Sequence, residues 1–305
     1  MGKVRGAIES VIEGKREPID VALVVLLAEG HLLLEDVPGV GKTMLAKAIG
    51  RSIACSVRRI QFTPDLLPSD ITGVSVYNQE RRDFEFKPGG VFANIVVGDE
   101  INRASPKTQS ALLESMEERQ VSVDGVTYEL ELPFMVVATQ NPIEMEGTYP
   151  LPEAQRDRFT ARITMGYPTK SAEMDMLEHH GSFDPLGSLQ PVTDAATIMG
   201  LIQAVKQVYV APAVKEYLVS VVTATRTSPD LRLGASPRSS LQLLRSSRAH
   251  AAMDGRDYVS PDDVAALAGA VLAHRVLPST EAQLARHSVA DIIDSIVRSV
   301  PVPDK

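Results

Sequence analysis

The chain has 305 residues, 44% hydrophobic and 23% charged, and its 31 basic and 39 acidic side chains leave a net charge of −8. Such a length predicts more than one compact unit. The composition excludes a disordered chain, and the acidic balance argues against a surface built mainly to hold nucleic acid. The longest apolar run, Val21 to Ala28, stops at Glu29. Crossing a bilayer takes about 20 residues, so this run predicts a buried helix and no membrane insertion. No signal pattern precedes it, and the single cysteine, Cys55, can form no internal disulfide; an inert, half-buried thiol and a cytoplasmic location are expected.

His31 to Leu34 form a short apolar run ended by Glu35 and Asp36, which suits a buried parallel strand. Val37, Pro38, Gly39, Val40, Gly41, Lys42, Thr43 and Met44 follow, and Leu45, Ala46, Ala48 and Ile49 then recur at helical spacing. Strand, glycine loop and helix in that order predict a phosphate-binding loop over Pro38–Met44. Gly39 and Gly41 let backbone N–H groups turn toward phosphate oxygens, Lys42 reaches the outer phosphates, and Thr43 supplies a hydroxyl to Mg2+. The strict pattern wants glycine six places before Lys42, where this chain has Asp36. That departure falls at the loop entrance, away from the phosphate contacts.

Further along, Val74, Val76, Phe84 and Phe86 flank a polar tip from Asn78 to Asp83, a loose hairpin pattern. Asn94 to Gly98 then form an apolar strand running into Asp99 and Glu100. Beside a phosphate loop, such a pair divides the work: Asp99 orders Mg2+ through water, and Glu100 polarises the attacking water. Ser105 followed by Pro106 is a strong helix start, and the helix is predicted over Lys107 to Arg119 with Leu112 and Met116 facing the core. Val121 and Val123 lead into Asp124–Gly125 and out through Val126, Tyr128 and Leu130, a tight hairpin signal. Phe134 to Ala138 predict another buried strand, after which Asn141 is the amide placed to hold the water that Glu100 activates; simple satisfaction of the turn before Pro142 is the alternative.

Beyond about Lys170 the pattern turns helical: Ile198, Leu201, Ile202, Val205 and Val208 share one face, and Tyr217, Leu218, Val221 and Val222 another. Ser236–Pro237 and Ser260–Pro261 repeat the cap-and-proline start. Arg238 falls in a first helical turn, where a cation opposes the helix dipole unless an anion lies nearby. His179 and His180 are adjacent, a spacing that does not suit a zinc site, and Met174 to Pro191 predict an exposed connection.

VPGVGKT, VVGDEINRA, ATQNP, LPEAQRDRF and GASPR, in that order from about Ser10 to beyond Arg275, resemble the MoxR family of AAA+ ATPases. The resemblance implies an α/β P-loop core of parallel sheet, flanking helices and inserted hairpins over 1–169, and a connection and smaller all-helical lid over 170–305. It also implies ATP and Mg2+ as ligands, Asn141 as first sensor, Arg158 as the arginine finger offered to a neighbouring subunit, and Arg238 as second sensor. Arg156 stands where relatives usually carry an apolar residue; Arg158 is the finger because it sits in the DRF triplet. Family hairpins face a ring pore, whereas the residues alone fit equally a packed hairpin with a solvated tip. The implied partners are client proteins, with a von Willebrand factor A domain protein alongside, and the implied assembly is a nucleotide-dependent homo-oligomeric ring, a hexamer. A metal-chelatase motor and a nucleotide-gated scaffold are the alternative functions, and a nucleic-acid translocase is disfavoured by the acidic balance.

Overall fold

The computed structural model describes residues 1–141, 147–170, 173–174 and 185–303. His179, His180, Pro142 and most of the expected connection lie outside these. The chain divides into two compact units, one of residues 1–20, 31–151 and 164–199 and the other of residues 21–30, 152–163 and 200–305.

Four short strands make the centre of the first unit: β1 (Leu32–Glu35), β2 (Val57–Gln61), β5 (Ile95–Asp99) and β8 (Met135–Gln140). They run parallel in the order β2-β5-β8-β1. Helices on both faces bury such strands, so they carry continuous apolar runs rather than alternation. Leu32 to Leu34, Ile95 to Val97 and Met135 to Ala138 are all buried. Burying each large side chain contributes about 1.5–3 kcal/mol. In register, Gln61 stands beside Asp99 and Glu35 beside Gln140. All the strands therefore finish at one edge, where polar residues replace apolar ones.

Helix α1 (Gly2–Glu9) and α3 (Lys42–Ser52) pack together, and α3 also lies against β2 and β5. Its buried residues Leu45, Ala46, Ala48 and Ile49 follow the predicted spacing. The helix after the acidic strand, α5 (Pro106–Glu118), starts at Ser105, whose hydroxyl accepts the Thr108 N–H, and buries Leu112 and Met116. Both hairpins form. Strands β3 (Gly73–Asn78) and β4 (Asp83–Pro88) pair antiparallel, as do β6 (Gln120–Val123) and β7 (Val126–Glu129). Asp124 at φ 51° and Gly125 at φ 80° make the tight turn of the second. The rings of Phe86 and Tyr128, one from each hairpin, stack with centroids 3.9 Å apart.

His31, just before β1, is buried with both ring nitrogens engaged. Its Nε2 donates to the Met116 carbonyl at 2.9 Å and its Nδ1 accepts the Val136 N–H at 3.0 Å. Burial, with Arg119 adding to it, holds this imidazole neutral and pushes its pKa down to about 4. The Cys55 thiol is pushed up to about 11 by burial and by the carboxylates of Asp194 and Glu131, which fits an inert thiol.

The second unit is mainly helical. Helices Pro212–Thr227, Pro237–Met253, Pro261–Leu272 and Val289–Ser299 bury Tyr217, Leu218, Val221 and Val222 together with Leu243, Val264, Leu267, Val271, Ile292 and Ile293. Ser260 and Asp263 form a capping box at Pro261. Ser236 lies just ahead of Pro237 as expected, but its hydroxyl makes no cap bond. It donates to the Asp157 carboxylate at 3.1 Å and meets Ser239 Oγ at 3.3 Å.

Candidate functional site

The phosphate loop joins β1 to α3 with two left-handed glycines, Gly39 at φ 84° and Gly41 at φ 91°. A Cβ at either would meet nothing within 4 Å, so backbone conformation, not crowding, demands glycine. Pro38 and Gly39 are exposed, and Val40 to Met44 are half-buried. Lys42 opens α3 and turns its ammonium back over the loop, donating to the carbonyls of Asp36 and of Val37, the latter at 3.1 Å. Burial lowers the Lys42 pKa, while Asp36, Asp99 and Glu100 pull the other way.

Asp36, where the strict motif has glycine, holds the loop entrance. Its Oδ1 accepts the Val37 N–H at 2.8 Å, and its Oδ2 accepts those of Met165 and Gly166 at 2.7 and 2.6 Å. Lys15 reaches the same segment through the carbonyls of Gly166 and Tyr167. Glycine has no side chain with which to make this clamp, so the departure has a structural task.

Asp99 and Glu100 end β5 beside this loop. Thr43 Oγ1 lies 3.4 Å from Asp99 Oδ2, and Thr139 donates to Asp99 Oδ1 at 2.6 Å. Arg59, on β2, sends Nε and Nη2 to Asp99 Oδ2 at 2.9 and 2.6 Å. Glu100 adopts the left-handed conformation at φ 56°, and its N–H donates to Thr139 Oγ1 at 2.9 Å. Its Oε2 accepts from Gln61 at 2.9 Å and from Arg103 at 3.0 Å. Asn141 is buried immediately after β8. Thus the structure brings Lys42, Thr43, Asp99 and Glu100 to one sheet edge. The hydroxyl of Thr43 and the carboxylate of Asp99 are hard oxygen donors of the kind Mg2+ takes alongside water and phosphate, so the residues fit that ion.

Arg158 and Arg238 belong to the second unit, both half-buried. A buried network joins the segments that carry them. Arg275 donates to Asp157 Oδ1 at 2.9 Å and to the Phe159 carbonyl at 2.6 Å, and Asp157 accepts from Ser236. Burial pushes the Arg275 pKa down to about 10, with Asp157 opposing and Arg238 reinforcing the shift. Arg156 pairs with Glu153 at 3.6 Å within its own helical turn, Glu153–Arg156. Outside the phosphate-loop edge, His250, Asp254 and Asp263 cluster in the manner of metal ligands. Arg256 already sits among them, with Nη1 and Nη2 on the two oxygens of Asp263.

Arg59, Gln61, Thr139 and Arg275 were not singled out in sequence. Arg59 and Gln61 share one face of β2 by their spacing of two, but exposed polar residues on a strand read as a solvated face. Nothing in the sequence pairs Arg275 with Asp157.

A parallel sheet with a glycine loop and paired acids at its carboxyl edge, followed by a helical unit, defines a P-loop ATPase of the AAA+ class. The family model described as "ATPase family associated with various cellular activities (AAA)" matches residues 31–161, and an AAA lid domain model matches 223–296. Chaperone MoxR1 of Mycobacterium tuberculosis is 41% identical over 305 residues, covering 97% of this chain and 80% of that protein. Uncharacterized protein YeaC of Bacillus subtilis is 49% identical over 303 residues, covering 99% and 95%. A crystal structure from Cytophaga hutchinsonii superposes with a TM-score of 0.93 at 37% identity, covering 99% of this chain and 94% of that one. The chain belongs to the MoxR family of AAA+ ATPases. Among the described residues, no helix is long and apolar enough to cross a membrane.

Proposed function

We propose that this ATPase couples Mg2+-dependent hydrolysis of ATP to ADP and phosphate to the remodelling, assembly or cofactor loading of client proteins. It acts as a cytoplasmic ring of like subunits, six in the expected arrangement, with residues 1–169 as nucleotide-binding core and 170–305 as connection and lid. The observation that carries the catalytic part is the convergence of Lys42, Thr43, Asp99 and Glu100 on one sheet edge. Pro38 to Met44 hold the phosphates, and Thr43 and Asp99 hold the metal, which when bound neutralises phosphate charge. Glu100 accepts a proton from water as its oxygen bonds to the γ-phosphorus and the bond to ADP breaks. Asn141 orients that water as first sensor. Arg158 stabilises the transition-state charge in a neighbouring subunit, and Arg238 reads the nucleotide from the lid. The chaperone name of the mycobacterial relative supports a protein client; a von Willebrand factor A domain protein is the proposed companion.

Steady-state turnover against protein concentration tests this. Wild-type turnover per subunit should rise with concentration. Glu100→Gln and Arg158→Ala should bind ATP yet hydrolyse it at least about 100-fold more slowly. Equal rates in variants and wild type would remove these roles.

A further inference from the structure

Asp99 carries more partners than a metal-ordering carboxylate needs. Its Oδ1 is taken by the Thr139 hydroxyl at 2.6 Å. Its Oδ2, the oxygen beside Thr43, receives two donors from Arg59, at 2.9 and 2.6 Å. The same Arg59 Nη2 lies 2.5 Å from Gln61 Oε1, and the Gln61 amide nitrogen donates to Glu100 Oε2 at 2.9 Å. A chain of contacts along β2 thus runs from one acid of the pair to the other.

We propose that Arg59 is a positioning residue that competes with Mg2+ and the water it carries for Asp99 Oδ2, so that it sets the Mg2+ concentration at which nucleotide is held. The inference rests on Asp99 being the metal-ordering acid. A guanidinium in contact with a carboxylate oxygen opposes the arrival of a second cation at that oxygen, because the two positive charges repel across a few ångströms. Arg59 is able to yield: its side chain is 50% exposed against 12% for Asp99. Water compensates an exposed guanidinium that swings away, so the pair is weaker than one buried on both sides. Thr139 keeps Oδ1 throughout, so the carboxylate stays oriented while its other oxygen changes partner. When Arg59 leaves, Gln61 loses the donor on its carbonyl oxygen, which loosens the amide that restrains Glu100. Arg59 therefore acts through its neighbours, Asp99 and Gln61.

The test is binding, not turnover. In the full chain carrying Glu100→Gln, which removes hydrolysis, a fluorescent ATP analogue is titrated with Mg2+ in the otherwise unchanged protein and with Arg59→Gln, Arg59→Lys or Asp99→Asn added. Arg59→Gln should lower the Mg2+ midpoint about two- to fivefold, the range expected for a half-exposed pair. Affinity in EDTA should stay the same. Arg59→Lys keeps a charge without the forked geometry and should fall between the two. A midpoint in Arg59→Gln that stays put or rises, with Mg2+ dependence otherwise intact, overturns the role of Arg59 alone. Binding indifferent to Mg2+ both with and without Asp99→Asn overturns the proposal together with the reading of Asp99 beneath it.

Discussion

Asp99 and Asp263 are each surrounded by donors, but in opposite ways. Asp263 is 1% exposed, and its Oδ1 takes Arg256 and His250 at 2.6 Å each while its Oδ2 takes Arg256 and the Ser260 N–H at 2.7 Å each. Burial opposes its ionisation, yet the hydrogen bonds from Arg256, His250 and Ser260 outweigh this and hold it well below the usual carboxylate range. Three of these bonds come from residues within seven positions along the chain, so they form with the helix they cap. Asp99 draws its donors from three separate segments, and the charged one among them, Arg59, is half in water. The difference teaches that the number of partners does not decide a carboxylate's role. What decides it is whether a partner can leave cheaply.

The largest effect should separate the two by stability. Asp263→Ala leaves Arg256 and His250 without their buried partner and should cost about 3–5 kcal/mol in urea unfolding of the helical unit. Asp99→Asn should cost only about 1 kcal/mol in the same assay, while the Mg2+ dependence of nucleotide binding collapses. Equal losses would break the comparison.

Next comes His31, a fixed polar group in the phosphate-loop unit. Its folded pKa of about 4 lies below the unfolded 6.5, so between these values the unfolded chain binds the extra proton and stability falls as pH falls. The loss should reach on the order of 3 kcal/mol between pH 7 and pH 4. His31→Gln should flatten that acid limb in a series of denaturant titrations; an unchanged limb would assign it to other groups.

The smallest effect sharpens the Asp263 side. The hydrogen bond to Asp263 raises the His250 pKa against the opposing effect of burial. A raised pKa gives stability that is complete below the unfolded value and disappears as pH rises through the folded one. The penalty of His250→Gln should therefore be larger at pH 5.5 than at pH 8.5, and no more than about 1 kcal/mol for this partly exposed pair. A melting-temperature difference that does not vary with pH would show that His250 acts by packing alone.

Local patterns were legible wherever one segment satisfies its own requirements. The loop at Gly39 and Gly41, the strand ending in Asp99 and Glu100, the Asp124–Gly125 turn and the helix start at Ser105 each carry cause and consequence within a dozen residues. Ser236 shows the limit. Serine before proline predicts a cap, but a carboxylate from a distant segment takes the hydroxyl instead. Asp36 was visible only as a departure from a motif, because the N–H groups it holds lie at Met165 and Gly166.

By itself, then, the amino-acid order determined the phosphate loop, the acid pair, both hairpins and the change from strands to helices, since glycine conformation, apolar period and turn chemistry are local. Only the tertiary structure decided what each acid touches. Arg59 meets Asp99 because β2 lies in register beside β5, and Arg275 meets Asp157 because folding closes a gap of more than a hundred residues. Charges bind whatever partner the packing places within reach, and no spacing along the chain encodes that distance.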